Sequence, residues 1–205
     1  ALVFAKDDYF LYLYKSTLFK AVTNYIQSLT TIEKTPFTEA HISPVFVTSL
    51  FILFTFSLAI MKKILTVNWH PIADVIRKFG VTSEVYIAIL NIVSLNQLSF
   101  TGINCIEAAP LVLPILESPF RQKFLTDLLH IVNNSFVQCI NCVKAGLHSF
   151  LLDLLKTNNE DIDSYIIIPI LMKISSAVFD RESLFKCIEL TDPGNKENKY
   201  IDTVL

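Results

Sequence analysis

The sequence predicts an all-α fold, and three observations support that prediction. Only four glycines occur among 205 residues, and no Asn-Gly or Asp-Gly dipeptide marks a hairpin turn. Hydrophobic residues make up 52 % of the chain and charged residues 18 %, which is enough apolar surface for a large core. Apolar residues recur at helical spacing over long stretches, and one short motif occurs twice. Together these features are typical of stacked helices.

In the N-terminal third, the sequence predicts two helices joined by a connecting segment. Residues 9–29, YFLYLYKSTLFKAVTNYIQSL, have the apolar spacing of one aromatic-rich helix. Residues 31–43 are interpreted as a connection. The second helix is expected to begin at Ser43 and Pro44, because serine is a preferred N-cap and proline is tolerated at the first helical position.

The second helix raises the question of a membrane. Residues 44–61, PVFVTSLFILFTFSLAIM, carry no charge and are long enough to cross a bilayer. Polar residues nevertheless recur every seven positions along one edge of this helix, here called the polar seam: His41, Thr48, Thr55 and Lys62. A helix covered by protein on most sides fits this pattern. We therefore expect a buried helix, and a membrane protein anchored by a single span at residues 44–61 is the alternative.

An internal repeat organises the rest of the chain. INCIEA at 103–108 returns as INCVKA at 140–145, 37 residues later (140 minus 103), and a weaker copy begins at Trp69. Each copy continues into a middle helix and then a longer third helix, which makes a unit of about 37–42 residues. Repeats of this length stack, and helices inside the stack are apolar nearly all round.

Capping residues set the expected boundaries of these units. The long third helices are expected to start at Thr82 or Ser83, at Ser118 before Pro119, and at Asn158 or Asn159. The predicted units within one domain of residues 1–205 are about 1–63, 64–99, 100–136, 137–179 and a partial 180–205. Because the chain starts with Ala and ends within a pattern, we expect a piece of a larger protein.

Residues 141–176, NCVKAGLHSFLLDLLKTNNEDIDSYIIIPILMKISS, resemble an armadillo repeat. The matching positions are Ala145, Gly146, Leu154, Leu155, Leu171, Ile174 and Ser175. The resemblance implies a right-handed α-α superhelix, that is, an armadillo/HEAT-like solenoid. Gly146 is expected to allow the sharp corner between the first two helices of the unit.

The same resemblance implies a groove lined by the third helices. In peptide-binding members of the family, such as nuclear-import adaptors, that helix carries tryptophan and, four residues later, asparagine. The asparagine place is held here by Asn91, Asn133 and Ser175, and the tryptophan place by Ile87, Leu129 and Leu171. Without the aromatic slots an import receptor is not expected. The candidate partner-binding residues are Tyr86, Asn91, Asn133 and Lys173.

Residues with catalytic or metal-binding potential are few. Cys139 and Cys142 form a C-x-x-C pair, which can belong to a zinc or redox site, but a repeat of Cys105 at the position of Cys142 favours buried thiols. No G-x-S-x-G, H-E-x-x-H or glycine-rich phosphate loop occurs. We expect no enzyme, no metal and no cofactor; a helical enzyme with a site at His130 or His148 is the alternative.

The net charge and the cysteine content limit the kinds of partner and the compartment that are expected. The net charge of −2 and the pI near 6.1 leave no basic field for a phosphate backbone, so nucleic acid is not expected. The four cysteines form no dense disulfide framework and no signal peptide is evident, which favours the cytoplasm. The predicted function is a non-catalytic scaffold module that binds a protein or peptide, and that meets a membrane only through neighbouring domains.

Overall fold

The computed structural model describes residues 17–63, 65–157 and 161–177, and all regular secondary structure within them is helical. The predicted all-α class is therefore confirmed. The chain divides into two compact units between Arg121 and Gln122. The helices are α1 (Leu18–Ser28), α2 (Pro36–Met61), α3 (Trp69–Phe79), α4 (Ser83–Ser94), a 3-10 segment (Ile106–Leu111), α5 (Val112–Leu116), α6 (Arg121–Asn134), α7 (Phe136–Lys144), α8 (Leu147–Thr157) and α9 (Asp161–Ala177).

Some predictions fall outside the described residues. These are the start of the first helix before residue 17, the caps at Asn158 and Asn159, and the partial unit 180–205. The other unit boundaries stay predictions.

The start of α2 corrects the sequence analysis. The helix begins at Pro36, and Pro44 lies inside it, so the interpretation of residues 31–43 as a connection is wrong from Pro36 onward. Thr35 and Thr38 exchange two bonds at this end: Thr38 N donates to Thr35 Oγ1 (3.1 Å) and Thr35 N donates to Thr38 Oγ1 (2.8 Å). This reciprocal cap, followed by proline at the first helical position, is a stronger start signal than Ser43-Pro44.

Helix α2 packs against α1 and α4. Phe46, Leu50 and Leu53 are buried, whereas Thr48 is exposed and Thr55 half-buried. The seam hydroxyls bond to carbonyls of their own helix, Thr48 Oγ1 to Pro44 O (2.8 Å) and Thr55 Oγ1 to Ile52 O (2.6 Å). The apolar side of α2 is therefore covered by neighbouring helices of the first unit.

Among the helices of the described residues, none combines the length and the apolar character that crossing a bilayer requires.

Helix α4 lies at the centre of the first unit. It packs against α2 and against the 3-10 segment, which also contacts α3 and α5. The predicted cap is confirmed at Thr82, whose Oγ1 accepts a hydrogen bond from Val85 N (3.3 Å). Because helices cover α4 on more than one side, its residues from Val85 to Ser94 are buried with the exception of Ile87.

Helix α3 is fixed to its neighbours by two basic residues. Arg77 Nε and Nη2 donate to both oxygens of the Glu117 carboxylate, at 2.8 and 3.2 Å. Lys78 Nζ donates to the carbonyl of Thr30, just beyond α1, at 2.9 Å. A paired guanidinium–carboxylate contact fixes geometry as well as charge. The two contacts join α3 to segments 40 and 48 residues away in sequence.

The three copies of the repeat differ in their helices. Residues 137–179 include a full set, α7, α8 and α9. In the preceding copy the first two parts are the 3-10 segment and the single turn of α5, because Pro110 and Pro114 lack the N–H that a regular helix needs. Residues 65–99 form α3 and α4.

The corner between α7 and α8 has the geometry expected of its glycine. Gly146 adopts φ +70°, the left-handed region that other L-residues rarely occupy. Its N–H donates to the carbonyl of Val143 at 2.9 Å, which closes the last turn of α7. The predicted role of Gly146 is confirmed.

Candidate partner-binding surface

Helix α9 leaves one face open to solvent. Its buried residues, Ser164, Ile167, Ile170 and Ile174, recur at helical spacing and belong to the side that packs on α7 and α8. The exposed residues recur in the same way at i, i+4, i+7, i+8 and i+11. We call them the α9 face: Tyr165, Pro169, Met172, Lys173 and Ser176.

The α9 face carries two large exposed side chains, one aromatic and one apolar. The side chain of Tyr165 is 78 % exposed and that of Met172 is 61 % exposed. Burying a large apolar or aromatic side chain stabilises a complex by roughly 1.5–3 kcal/mol, so such residues are the ones that carry binding energy at interfaces. Lys173 is the charged residue of this face.

Pro169 adds a polar group to the same surface. It lies in the interior of α9 and has no backbone N–H, so it cannot donate the helical hydrogen bond to the carbonyl of Tyr165. That carbonyl lies beside two exposed side chains of the face, Tyr165 and Pro169. The α9 face thus offers an acceptor, an aromatic ring and a cation within three turns of helix.

Lys173 lies at the edge of the face that adjoins α7. Burial raises the pKa of the Cys139 thiol, and the ammonium group of Lys173 is close enough to oppose that rise. Cys139 belongs to α7, whose first two residues, Phe136 and Val137, are also exposed apolar side chains. The second unit therefore presents apolar residues from two packed helices.

The four predicted residues differ in burial. Tyr86 is 3 % exposed and stacks on Phe120, with ring centroids 4.9 Å apart and an interplanar angle of 16°. Asn91 is also buried within α4. Because α4 lies in the interior of the first unit, a direct contact of Tyr86 or Asn91 with a partner is not compatible with this packing.

The other two predicted residues are exposed and belong to the second unit. Asn133 is on α6 near its end, and Lys173 is part of the α9 face. The sequence analysis did not name the exposed residues Tyr165, Met172 and Phe136 as candidates. The signal for Tyr165 and Met172 was their position on α9, opposite Ile167, Ile170 and Ile174 around the helix.

The three cysteines among the described residues are buried thiols, as predicted. Cys105, Cys139 and Cys142 are free and buried. Burial raises the pKa of Cys105 to about 11; burial, together with the nearby Cys139, raises the pKa of Cys142 to about 12. The reactive form of a cysteine is the thiolate, so these thiols are poor nucleophiles near neutral pH.

The histidines of the alternative enzyme hypothesis have unlike environments. His130 is exposed, and its backbone carbonyl accepts a hydrogen bond from Asn134 Nδ2 at 2.8 Å. His148 is buried, with Nε2 3.4 Å from Ser149 Oγ. Within residues 17–63, 65–157 and 161–177, no group of three or more His, Cys, Asp or Glu side chains is arranged to hold a metal ion.

No protein-family model, curated protein or solved structure matches the chain at a significant level. The inference about function therefore depends on the exposed residues of the chain.

Proposed function

We propose that this chain is a non-catalytic interaction module that binds a protein or peptide, and that the α9 face is its contact surface. The observation that carries the proposal is the row of exposed apolar side chains on a helix whose opposite side is firmly packed. Tyr165 and Met172 extend from a regular helix, and their exposed side chains are accessible to a partner. Exposed apolar residues that cluster are typical of protein interaction sites.

The proposal includes the finer fold class. We propose that the helices stack as an armadillo/HEAT-like superhelix, and the support for it is the three-helix set α7, α8 and α9 with its glycine corner at Gly146. In such a stack the third helix of the repeat would present its outer face to a partner.

Partner type follows from the chemistry of the face. The aromatic ring of Tyr165 and the thioether of Met172 suit apolar side chains, and Lys173 suits an acidic residue or an aromatic ring. An amphipathic helix supplies both at i, i+3 and i+4 spacing. The free buried thiols of Cys105, Cys139 and Cys142 suit a reducing compartment such as the cytoplasm.

A peptide-display selection tests the proposal. Random peptides would be selected on the full 205-residue chain, and the binders would be titrated against two matched variants. Met172→Asp places a charge on the α9 face, while Ile87→Asp places the same charge at a half-exposed apolar position of α4.

We expect Met172→Asp to weaken the selected peptides by about tenfold or more and Ile87→Asp to leave them unchanged. Selected peptides whose affinity is unchanged by Met172→Asp would show that the functional surface lies elsewhere. A selection without binders would remove the support for an interaction module.

A further inference from the structure

We infer that the α9 face pairs with the same face of a second copy of this chain, with the two helices antiparallel. This inference rests on the proposed function and names the partner of the same surface. Its basis is that the exposed groups of the α9 face complement one another when one copy is turned through a two-fold axis.

The complementary groups are Tyr165 and Lys173. They are eight residues apart on one side of α9, which corresponds to about 12 Å along a helix at 1.5 Å per residue. Pro169 lies midway between them. When two copies cross antiparallel at Pro169, the ammonium group of Lys173 in each copy faces Tyr165 in the other.

A lysine ammonium within about 6 Å of an aromatic ring is attracted to its face. The same ammonium can also donate a hydrogen bond to the Tyr165 carbonyl, which lacks its helical donor because of Pro169. In a two-fold interface, residue i of the first copy contacts residue j of the second, and residue j of the first contacts residue i of the second. Lys173 and Tyr165 meet this requirement, so the same contact forms twice. A parallel arrangement would instead bring the two lysines together.

The apolar residues fit the same arrangement. Met172 is one turn from Pro169 on the side of Lys173, so in the antiparallel pair the Met172 side chains flank the crossing point. Helix macrodipoles also favour antiparallel neighbours. The contact covers one helix face, which corresponds to a small interface below about 1,200 Å² and to a weak dimer with Kd on the order of 10–100 µM.

Sedimentation velocity of the full chain tests the inference. We expect a monomer–dimer equilibrium over a loading range of about 5 to 500 µM. Lys173→Glu should weaken the dimer by about tenfold, because two cation–aromatic contacts are lost. The matched control is Lys144→Glu, the same charge change at an exposed position of α7. It should leave Kd within about twofold.

A swapped double variant tests the register. Tyr165→Lys combined with Lys173→Tyr exchanges the two groups, and in the antiparallel pair each lysine again meets a tyrosine. We expect this variant to dimerise within about threefold of the native chain. Far-ultraviolet circular dichroism of each variant would establish that its helices are intact.

A covalent probe tests the position of the axis. Pro169→Cys puts one thiol of each copy at the crossing point, where mild oxidation should give a disulfide-linked dimer that the native chain does not form under the same conditions. Ser176→Cys, two turns away on the same face, should not link.

Three results would overturn the inference. One is a monomer over the whole concentration range. Another is a dimer that Lys173→Glu leaves intact or that Lys144→Glu weakens equally. The last is a swapped variant that fails to dimerise while its helices are intact. A monomer whose α9 face still binds selected peptides would contradict self-pairing and leave the proposed function standing.

Discussion

Helices α4 and α9 were both expected to line a binding groove, and they prove to have opposite environments. Both are apolar, and both are the last helix of their repeat copy. In α4 the tyrosine is 3 % exposed, whereas in α9 the tyrosine is 78 % exposed. The same kind of helix is therefore interior in the first unit and a surface in the second.

The difference follows from how the neighbouring elements are placed around each helix. Helix α4 packs against both α2 and the 3-10 segment, and the long α2 supplies much of its cover. Helix α9 packs on α7 and α8, with its buried residues on one side of the helix and the α9 face on the other. Apolar content alone does not distinguish a helix covered by several elements from one that has an outer face for a partner.

The largest expected contrast is in core stability. Ile89→Ala on α4 removes fully buried methyl groups and should lower the free energy of unfolding by about 2–5 kcal/mol, because a cavity remains. Met172→Ala on the α9 face should change it by less than about 0.5 kcal/mol. Urea unfolding followed by circular dichroism measures both. Similar losses in the two variants would contradict the difference in burial.

A second contrast uses the two asparagines that were predicted as ligands. Asn91→Asp places a carboxyl group in the interior of the first unit, where burial raises its folded-state pKa above the unfolded value near 4. The variant should therefore be least affected below about pH 4 and lose stability as pH rises, by about 2–3 kcal/mol at pH 7.

Asn133→Asp is the matched control, because Asn133 is exposed on α6. Its unfolding midpoint relative to the native chain should be independent of pH between about 4 and 7. A pH-dependent loss at position 133, or none at position 91, would reverse the assignment of interior and surface.

The corner that connects α7 to α8 gives a smaller effect. Gly146→Val should lower stability by about 1–2 kcal/mol, because a β-branched residue is strained at φ +70°. A Cβ at this position would meet open space, so the loss comes from the backbone and not from a clash. Gly146→Asn should be milder, since asparagine tolerates left-handed backbone. Equal melting temperatures for the native chain and the two variants would contradict the claim that Gly146 holds a left-handed corner between α7 and α8.

The effect that is smallest near neutral pH is shared by both units. Cys105 and Cys142 have raised pKa values of about 11 and about 12, so the folded chain keeps these thiols protonated when the unfolded chain has lost the protons. Stability should therefore fall as pH rises above about 9, by up to about 1.4 kcal/mol per pH unit for each thiol. Cys142→Ala should reduce that slope. An unchanged slope would mean that the thiol is not buried.

Local signals in the sequence were more reliable than positions in the stack. The cap at Thr82 and the glycine corner at Gly146 were predicted, because each depends on residues near in sequence. The predicted start of α2 at Ser43-Pro44 was wrong, because Thr35-Pro36 is a competing start signal of the same type.

Burial depends on residues far away in sequence, and that part could not be predicted. Helix spacing divides α9 into two sides, but only the packing of α7 and α8 decides which side is covered. Likewise, Tyr86 became interior because Phe120, 34 residues later (120 minus 86), stacks on it. Of the four candidate residues, Asn133 and Lys173 are exposed, whereas Tyr86 and Asn91 are buried.

Hydroxyl-radical footprinting of the two tyrosines tests the central contrast most directly. Both residues are measured in one chain and one exposure, so intrinsic reactivity cancels. We predict that Tyr165 is oxidised at least about tenfold faster than Tyr86, in line with their exposed fractions of 78 % and 3 %. Equal rates, or faster oxidation of Tyr86, would contradict the claim that α9 presents the open face and α4 the interior.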